Sequence, residues 1–167
     1  MNTIGYMNHY IFDLDDTLIL HRNDIQYEWI CEDKVLTHYL ANCNGSMCIY
    51  TNGTYGHARD VLKSMRLDKT FDKIYARDTM AEMKPSVRSA IDVHKGIMTD
   101  HDGKFIFFDD LHMNLRTGKM LGWITVWINS KHELKDKYDY IDHAYPNIIE
   151  ALKEIQARDI MPRYGSL

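Results

Sequence analysis

Two carboxylates stand two residues apart directly after an apolar run. The run is Tyr10–Phe12, and Asp13 and Asp15 follow it. Residues two apart in an extended chain face the same side, and an apolar run that turns acidic is typical of the active edge of a parallel α/β sheet. Carboxylates this close repel each other and need a cation, a shared proton or both. The alternative interpretation is an Asp-rich turn that caps the next element.

Three later segments favour a chemical role for these two carboxylates over a purely structural turn. Thr51–Gly53 follows a second apolar run, Lys84 precedes a proline that can start a helix, and Asp109 and Asp110 end a third apolar run. Carboxylates bind a hard cation such as Mg²⁺, and a carboxylate can also act as a nucleophile on phosphorus. A hydroxyl, a lysine and backbone amides can neutralise phosphoryl oxygens. The set therefore predicts magnesium-assisted phosphoryl transfer.

These motifs resemble the haloacid dehalogenase (HAD) superfamily, and within it the phosphatases. The resemblance is carried by Asp-x-Asp-x-Thr at 13–17, Thr-Asn-Gly at 51–53, Lys-Pro at 84–85 and Phe-Phe-Asp-Asp at 107–110, in that order. Asn114 and Gly122 also resemble the family's pattern. The interval between residues 51 and 84 is similar to the pyrimidine nucleotidase-like subgroup.

The resemblance implies a role for each acidic residue. Asp13 is expected to be the nucleophile. Asp15 is expected to be the general acid, with its backbone carbonyl as a magnesium ligand. Dehalogenases of the superfamily lack this second aspartate, so Asp15 favours phosphate chemistry. Asp13 and Asp109 are expected to bind the metal directly. Asp110 is expected either near the metal or as the N-cap of the helix that follows.

The resemblance also implies a phosphate-binding set. Thr51 is expected to donate to a phosphoryl oxygen, helped by the backbone amides of Asn52 and Gly53. Lys84 is expected to pair with the nucleophile and with the acyl-phosphate. The structural alternatives are strand-end packing for Thr51 and a solvated surface position for Lys84. Six further residues are expected near the mouth, each more readily an exposed rim residue than a functional one: His21, Arg22, Tyr55, His57, His112 and Arg116.

Bulk properties indicate one ordinary globular domain over residues 1–167. The formal charge of -4 gives no electrostatic case for nonspecific nucleic-acid binding, so nucleic acid enters only as a substrate. The sequence has three cysteines, an odd number without metal-type spacing. No signal peptide or long apolar span is recognised, which predicts a cytoplasmic, reducing setting without a membrane partner.

Strand and helix patterns alternate along the chain. This alternation predicts a three-layer, Rossmann-like, doubly wound parallel sheet, and the family's strand order puts the first and fourth strands side by side. Asp13 and Asp109 would then converge where such sheets bind ligands. The expected strands lie at about 9–13, 47–50, 71–76, 105–108 and 123–128, and the expected helices at 25–40 (capped by Asp24), 56–65, 85–94, 111–120 and 147–157.

Many relatives of this family carry a helical cap domain, for which this chain has little room. Residues 18–47 hold about one helix and its turns, with Ile19–Asn23 as a short flap. We therefore expect a capless or nearly capless core. The open site could take a large substrate, or a second copy of the chain could close it.

The sequence thus predicts a Mg²⁺-dependent phosphomonoester hydrolase with an aspartyl-phosphate intermediate, acting on a small phosphorylated metabolite or a nucleotide. One alternative is a phosphatase for macromolecules such as nucleic-acid ends or phosphoproteins. The other is a non-catalytic module that binds phosphate or a partner.

Overall fold

The fold is a six-stranded, all-parallel sheet covered by helices on both faces. The computed structural model describes residues 7–20, 30–97 and 103–160. The strands are ordered β3-β2-β1-β4-β5-β6 in the sheet. Their bounds are β1 Asn8–Phe12, β2 Gly45–Tyr50, β3 Lys73–Tyr75, β4 Phe105–Asp109, β5 Ile124–Ile128 and β6 His143–Tyr145.

Five α-helices and one 3₁₀ helix connect and flank these strands within the described ranges. One face of the sheet carries α1, α2 and α5, and the other carries α3 and α4, so the domain has three layers. Their bounds are α1 Lys34–Ala41, α2 Tyr55–Ser64, α3 Val87–Ile97, α4 His112–Met120 and α5 Ile148–Ile160, with the 3₁₀ helix at His132–Lys137.

The central strand, β1, brings the important loops together. In the parallel ladders Phe12 is the partner of Ile49 in β2 and of Phe108 in β4. The loops that follow these three strands therefore leave the sheet at the same edge. The predicted fold class is confirmed, and so is the predicted adjacency of the first and fourth strands.

Aromatic side chains at the centre of the sheet fill the core on both faces. Phe12 and Phe108 are fully buried and stack at 4.7 Å between ring centroids beneath α1, α2 and α5. On the opposite face Phe107 meets Trp123 edge-on at 5.5 Å. Because consecutive strand residues point to opposite faces, the run at residues 105–108 supplies both cores, which explains why it is continuously apolar.

Some predicted boundaries are wrong. The predicted helix over 25–40 is not continuous, since residues 30–33 are not helical and α1 begins at Lys34, where the Asp33 carboxylate accepts hydrogen bonds from two backbone amides and caps the helix. Asp24, the expected cap, lies outside the described residues, as does the flap from residue 21 onward. The third helix begins at Val87 rather than at Pro85, which follows a cis peptide bond from Lys84.

Strand β6 was not predicted. It has only three residues, His143–Tyr145, and they lack a clear apolar alternation. None of the helices in the described ranges is long and apolar enough to cross a bilayer.

Candidate active site

The loop after β1 is a tight turn that presents Asp13 to the edge of the sheet. The Asp13 amide still belongs to the sheet, since it donates to the Phe108 carbonyl at 2.9 Å. The Leu14 carbonyl then accepts from the Leu18 amide at 2.9 Å, which closes the turn. Asp16 has a φ of 61°, a left-handed conformation that Asp tolerates in turns. Asp13 and Asp15 are therefore held close to the end of a central strand by the hydrogen bonds of this turn.

Asp13, Asp109 and Asp110 form a compact acidic cluster. One carboxylate oxygen from each lies within 4.8 Å of the other two. Asp13 and Asp109 are buried and Asp110 is half-buried. The convergence follows from the sheet, because β1 and β4 are paired and their last residues leave at one edge.

Lys84 provides a buried positive charge within this cluster. Its Nζ donates to Asp13 Oδ1 at 2.8 Å and to Asp109 Oδ2 at 2.6 Å. The rings of Tyr50 and Phe107 lie 5.1 and 5.7 Å from the ammonium. Burial works against its charge, but the two carboxylates outweigh it and hold the pKa of Lys84 above its ordinary value. The lysine is therefore a permanent cation and not a surface residue.

The backbone of Lys84 is fixed by Asn52. The Asn52 side chain accepts from the Lys84 amide at 2.9 Å and donates to the Lys84 carbonyl at 3.0 Å. This paired contact joins the loop after β2 to the segment before α3. The sequence motif predicts a role only for the backbone amide of Asn52, and this side-chain contact adds a second one.

Asp109 is held by groups at the start of α4. Oδ1 accepts from the Leu111 amide at 2.8 Å, and Asn114 Nδ2 lies 3.0 and 3.1 Å from the two oxygens. Burial raises the pKa of Asp109, and Asp13 adds to the shift, although Lys84 opposes it. Asn114 is buried, and its hydrogen bonds orient Asp109.

Asp110 faces the acidic cluster and does not cap α4. The N-cap residue of α4 is Leu111, whose side chain makes no capping bond. The carbonyl of Asp110 accepts from Trp127 Nε1 at 2.8 Å, which pins its backbone to β5. Burial raises the pKa of Asp110, and the charges of Asp109 and Asp13 raise it further.

The donor set fits a magnesium ion. When all three carboxylates are ionised, the single ammonium leaves two of their negative charges uncompensated, which agrees with the raised pKa values of Asp109 and Asp110. Oxygen donors at such spacing are what Mg²⁺ takes from proteins. Asp13, Asp109 and Asp110 are the residues that could hold it.

The loop after β2 presents Thr51 beside Asp15. Thr51 is buried, and its Oγ1 accepts from the Gly53 amide at 3.0 Å. A Cβ built on Gly53 would lie 3.3 Å from Thr51 Oγ1 and 3.4 Å from Asp15 Oδ2. Thr51, Gly53 and Asp15 therefore come together, while the Gly53 amide is already engaged by Thr51.

Asp15 is bound by a histidine of α2. His57 Nε2 lies 2.9 Å from Asp15 Oδ1 and 3.2 Å from Oδ2. The sequence placed His57 only among six mouth residues. What could have singled it out is its place in the first turn of the helix that follows Thr51–Gly53, because that turn must face the sheet edge.

The other mouth residues do not share one arrangement. His112 stacks on Tyr138 at 4.1 Å and bonds the Tyr140 hydroxyl, so it belongs to an aromatic cluster beside α4. Tyr55 is 42% exposed at the start of α2. Arg116 is exposed on α4. His21 and Arg22 lie outside the described residues.

The sequence itself matches no family model. No protein of curated function is significantly similar to it either.

The structure, in contrast, is similar to solved structures of haloacid dehalogenase-like proteins. A candidate HAD hydrolase from Bacillus subtilis, bound to magnesium, aligns over 92% of this chain and 100% of its own, with 14% identity and a TM-score of 0.67. A candidate β-phosphoglucomutase from Thermotoga maritima aligns over 93% and 100%, with 13% identity and a TM-score of 0.69. L-2-haloacid dehalogenase from Xanthobacter autotrophicus aligns over 81% and 64%, with 16% identity and a TM-score of 0.61. At these identities the likeness establishes the fold.

Proposed function

We propose that this chain is a HAD-type phosphatase, a magnesium-dependent hydrolase of phosphomonoesters that forms an aspartyl-phosphate on Asp13. The observation that carries the proposal is the buried Lys84 ammonium shared by Asp13 and Asp109 beside Asp110. A purely structural role does not explain three carboxylates and a lysine gathered at the ligand-binding edge of a sheet, because burying such charges is costly.

The residues of the chain take distinct roles in this proposal. The Asp13 carboxylate attacks phosphorus in line with the ester oxygen and forms an acyl-phosphate. Thr51 Oγ1 donates to a phosphoryl oxygen, and Lys84 balances the charge that develops. Asp15 gives a proton to the departing oxygen and then takes one from the water that hydrolyses the acyl-phosphate.

A magnesium ion at Asp13, Asp109 and Asp110 would neutralise phosphoryl oxygens and orient them for attack. Asn114 contributes by holding the Asp109 carboxylate in place through hydrogen bonds to both oxygens. Asp109→Asn and Asp110→Asn are therefore expected to weaken magnesium dependence along with turnover.

The proposal is tested by phosphate release from p-nitrophenyl phosphate with and without Mg²⁺. We expect turnover that EDTA removes and Mg²⁺ restores, and a loss of at least about 10³-fold in Asp13→Asn, because the amide cannot act as the nucleophile. Asp136→Asn, on a side chain 88% exposed in the 3₁₀ helix, is the matched control and should keep full activity. Full activity of Asp13→Asn would reject the proposal.

Halide release is the competing chemistry that the fold allows, since one structural neighbour is a haloacid dehalogenase. Asp15 argues against it, because a protonated carboxyl serves an alkoxide leaving group and a halide needs none. Chloride release from 2-chloropropionate should therefore be undetectable under conditions in which phosphate is released.

A further inference from the structure

A histidine–carboxylate pair connects α2 to the loop after β1. His57 belongs to the first turn of α2, which Thr54 caps by accepting from the His57 amide at 3.2 Å. Its ring then reaches across to Asp15, where Nε2 contacts both carboxylate oxygens. Both side chains are nearly three-quarters buried, at 28% and 29% exposed. The contact thus joins a capped helix to the loop that follows the central strand.

The surroundings of the pair are closely packed. A Cβ built on Gly53 would lie 3.1 Å from His57 Cδ2 as well as close to Asp15 and Thr51. The distances to His57 and Thr51 are tighter than most contacts of a real Cβ, so the absence of a side chain at Gly53 gives these two groups room beside Asp15. The Gly53 backbone is fixed in turn, because its carbonyl accepts from the Arg77 amide at 3.0 Å.

We propose that His57 is a positioning residue that holds the Asp15 carboxyl at the place where the leaving group departs. This inference rests on the proposed phosphatase function and adds to it a residue from α2. Asp15 lies in the turn next to the left-handed Asp16, and an aspartate side chain can in general occupy several staggered rotamers. A hydrogen bond from a helix selects one of them.

The proton accounting keeps His57 out of the reaction itself. When the ester P–O bond breaks, its electron pair goes to the leaving oxygen, and the proton on the Asp15 carboxyl moves to that oxygen. In the second half a water proton moves to Asp15 as the water oxygen bonds to phosphorus and the Asp13–phosphorus bond breaks. His57 only maintains the direction of the carboxyl in both halves.

The leaving group distinguishes positioning from general structural support. Nitrophenolate departs without a proton, whereas an alkoxide needs one, so a misplaced Asp15 slows alkyl phosphates much more than p-nitrophenyl phosphate. We expect His57→Ala to lower kcat for an alkyl phosphate about 10- to 100-fold and kcat for p-nitrophenyl phosphate less than about 3-fold. KM should change little for either substrate, because Asp15 acts on the leaving oxygen and not on the bound phosphoryl group.

Two variants separate the side chain from the helix. His57→Gln places an amide donor close to the position of Nε2 and should recover most of the alkyl phosphate activity. Thr54→Ala removes the cap of the same helix without changing the imidazole, so it should lower the melting temperature and affect both substrates to the same extent. If His57→Ala also slows both substrates equally, His57 is a structural residue and the inference is overturned.

A double-mutant cycle with Asp15→Asn completes the test. Once Asp15 cannot give a proton, removing His57 should cause no further leaving-group-dependent loss. A further selective loss on alkyl phosphates would assign His57 a role independent of Asp15 and reject the inference. A wild-type chain that hydrolyses neither substrate would instead reject the proposed function, so the two failures are distinguishable.

Discussion

At the scale of single residues, the site holds more carboxylates than cations, and contacts with the backbone keep these groups in place. Lys84 Nζ reaches two carboxylates at 2.8 and 2.6 Å, and Asn52 fixes the lysine backbone from both sides. The ammonium offsets only part of the negative charge of Asp13, Asp109 and Asp110. The lysine and a divalent cation should therefore stabilise the same cluster.

Lys84→Met tests this shared role. Met fills a similar volume but leaves two buried carboxylates without their cation, so the free energy of unfolding in EDTA should fall by about 3–5 kcal/mol. Adding Mg²⁺ should reduce the difference in the free energy of unfolding between the variant and the wild type, because the ion neutralises part of the carboxylate charge. Urea unfolding with EDTA and with MgCl₂ measures both values.

The control for this prediction is Lys63→Met, which changes an exposed lysine of α2. It should alter stability by no more than about 0.5 kcal/mol in either condition. An equal destabilisation of Lys84→Met with and without Mg²⁺ would mean that the ion and the lysine do not act on the same charges.

The sequence predicted some residues of the site better than others. Asp13 and Asp109 could be placed together because each ends an apolar run that predicts a buried strand, and the family resemblance implied that these two strands are neighbours. The contacts of Asn52 with Lys84 and of His57 with Asp15 could not be found in this way. They span 32 and 42 residues and depend on side-chain rotamers, on which spacing along the chain carries no information.

At the scale of elements, the distance between helix and sheet is set by small residues. Gly118 lies in α4, where an added Cβ would come within 2.8 Å of Trp123 Cε3 and 3.1 Å of Phe107 Cδ1. Both aromatic rings are buried and cannot easily move. Since α4 also carries Asn114, which orients Asp109, this close packing helps to position the site.

Gly118→Ala should destabilise the protein by about 1–3 kcal/mol, because the overpacking outweighs the gain in helix propensity. Gly56→Ala in α2 is its matched control, since a Cβ there would meet no atom within 4 Å. That variant should be neutral or stabilised by up to about 1 kcal/mol. Chemical unfolding of both variants measures the change in the free energy of unfolding. Equal changes would show that packing against Trp123 does not decide whether the substitution stabilises or destabilises the protein.

The helix starts illustrate why element boundaries were predicted less well than the elements themselves. Apolar spacing around residues 25–40 fits one long helix, yet Asp33 provides two strong capping bonds at a point that hydrophobic periodicity does not mark. Strand β6 was missed for a different reason, since its three residues are too few to show a strand pattern in the sequence. It exists because β5 offers an unpaired edge, which is a property of the assembled sheet.

At the scale of the whole molecule, the family resemblance implied that the first and fourth strands are adjacent, and the structure confirms it. This adjacency leaves one edge of the parallel sheet at which the chemically suited residues can meet. Which leaving group the site accepts depends on the protein surface around that edge. Leu20 and Leu111 are more than half exposed in the segments that follow β1 and β4, so these segments present apolar side chains to the solvent.

This surface leads to a prediction about substrate size. A chain with a formal charge of -4 has no excess of positive charge to attract a polyanion, whereas the exposed leucines that follow β1 and β4 suit a base or another small apolar group. We expect kcat/KM for a nucleoside 5′-monophosphate to exceed that for a 5′-phosphorylated oligonucleotide by at least about tenfold. A phosphorylated peptide should also be the poorer substrate. Initial rates on the three substrates provide the measurement.

Salt dependence gives the same prediction a second readout. Binding that releases counterions from several phosphates weakens steeply with salt, with a slope of about −0.7 per contacted phosphate for single strands. If the oligonucleotide is held only through its terminal phosphate, raising the salt from 50 to 200 mM should change its KM by less than about threefold. A steep salt dependence together with faster turnover of the oligonucleotide would instead favour a nucleic-acid end as the substrate, because it would require a row of phosphate contacts along the protein surface.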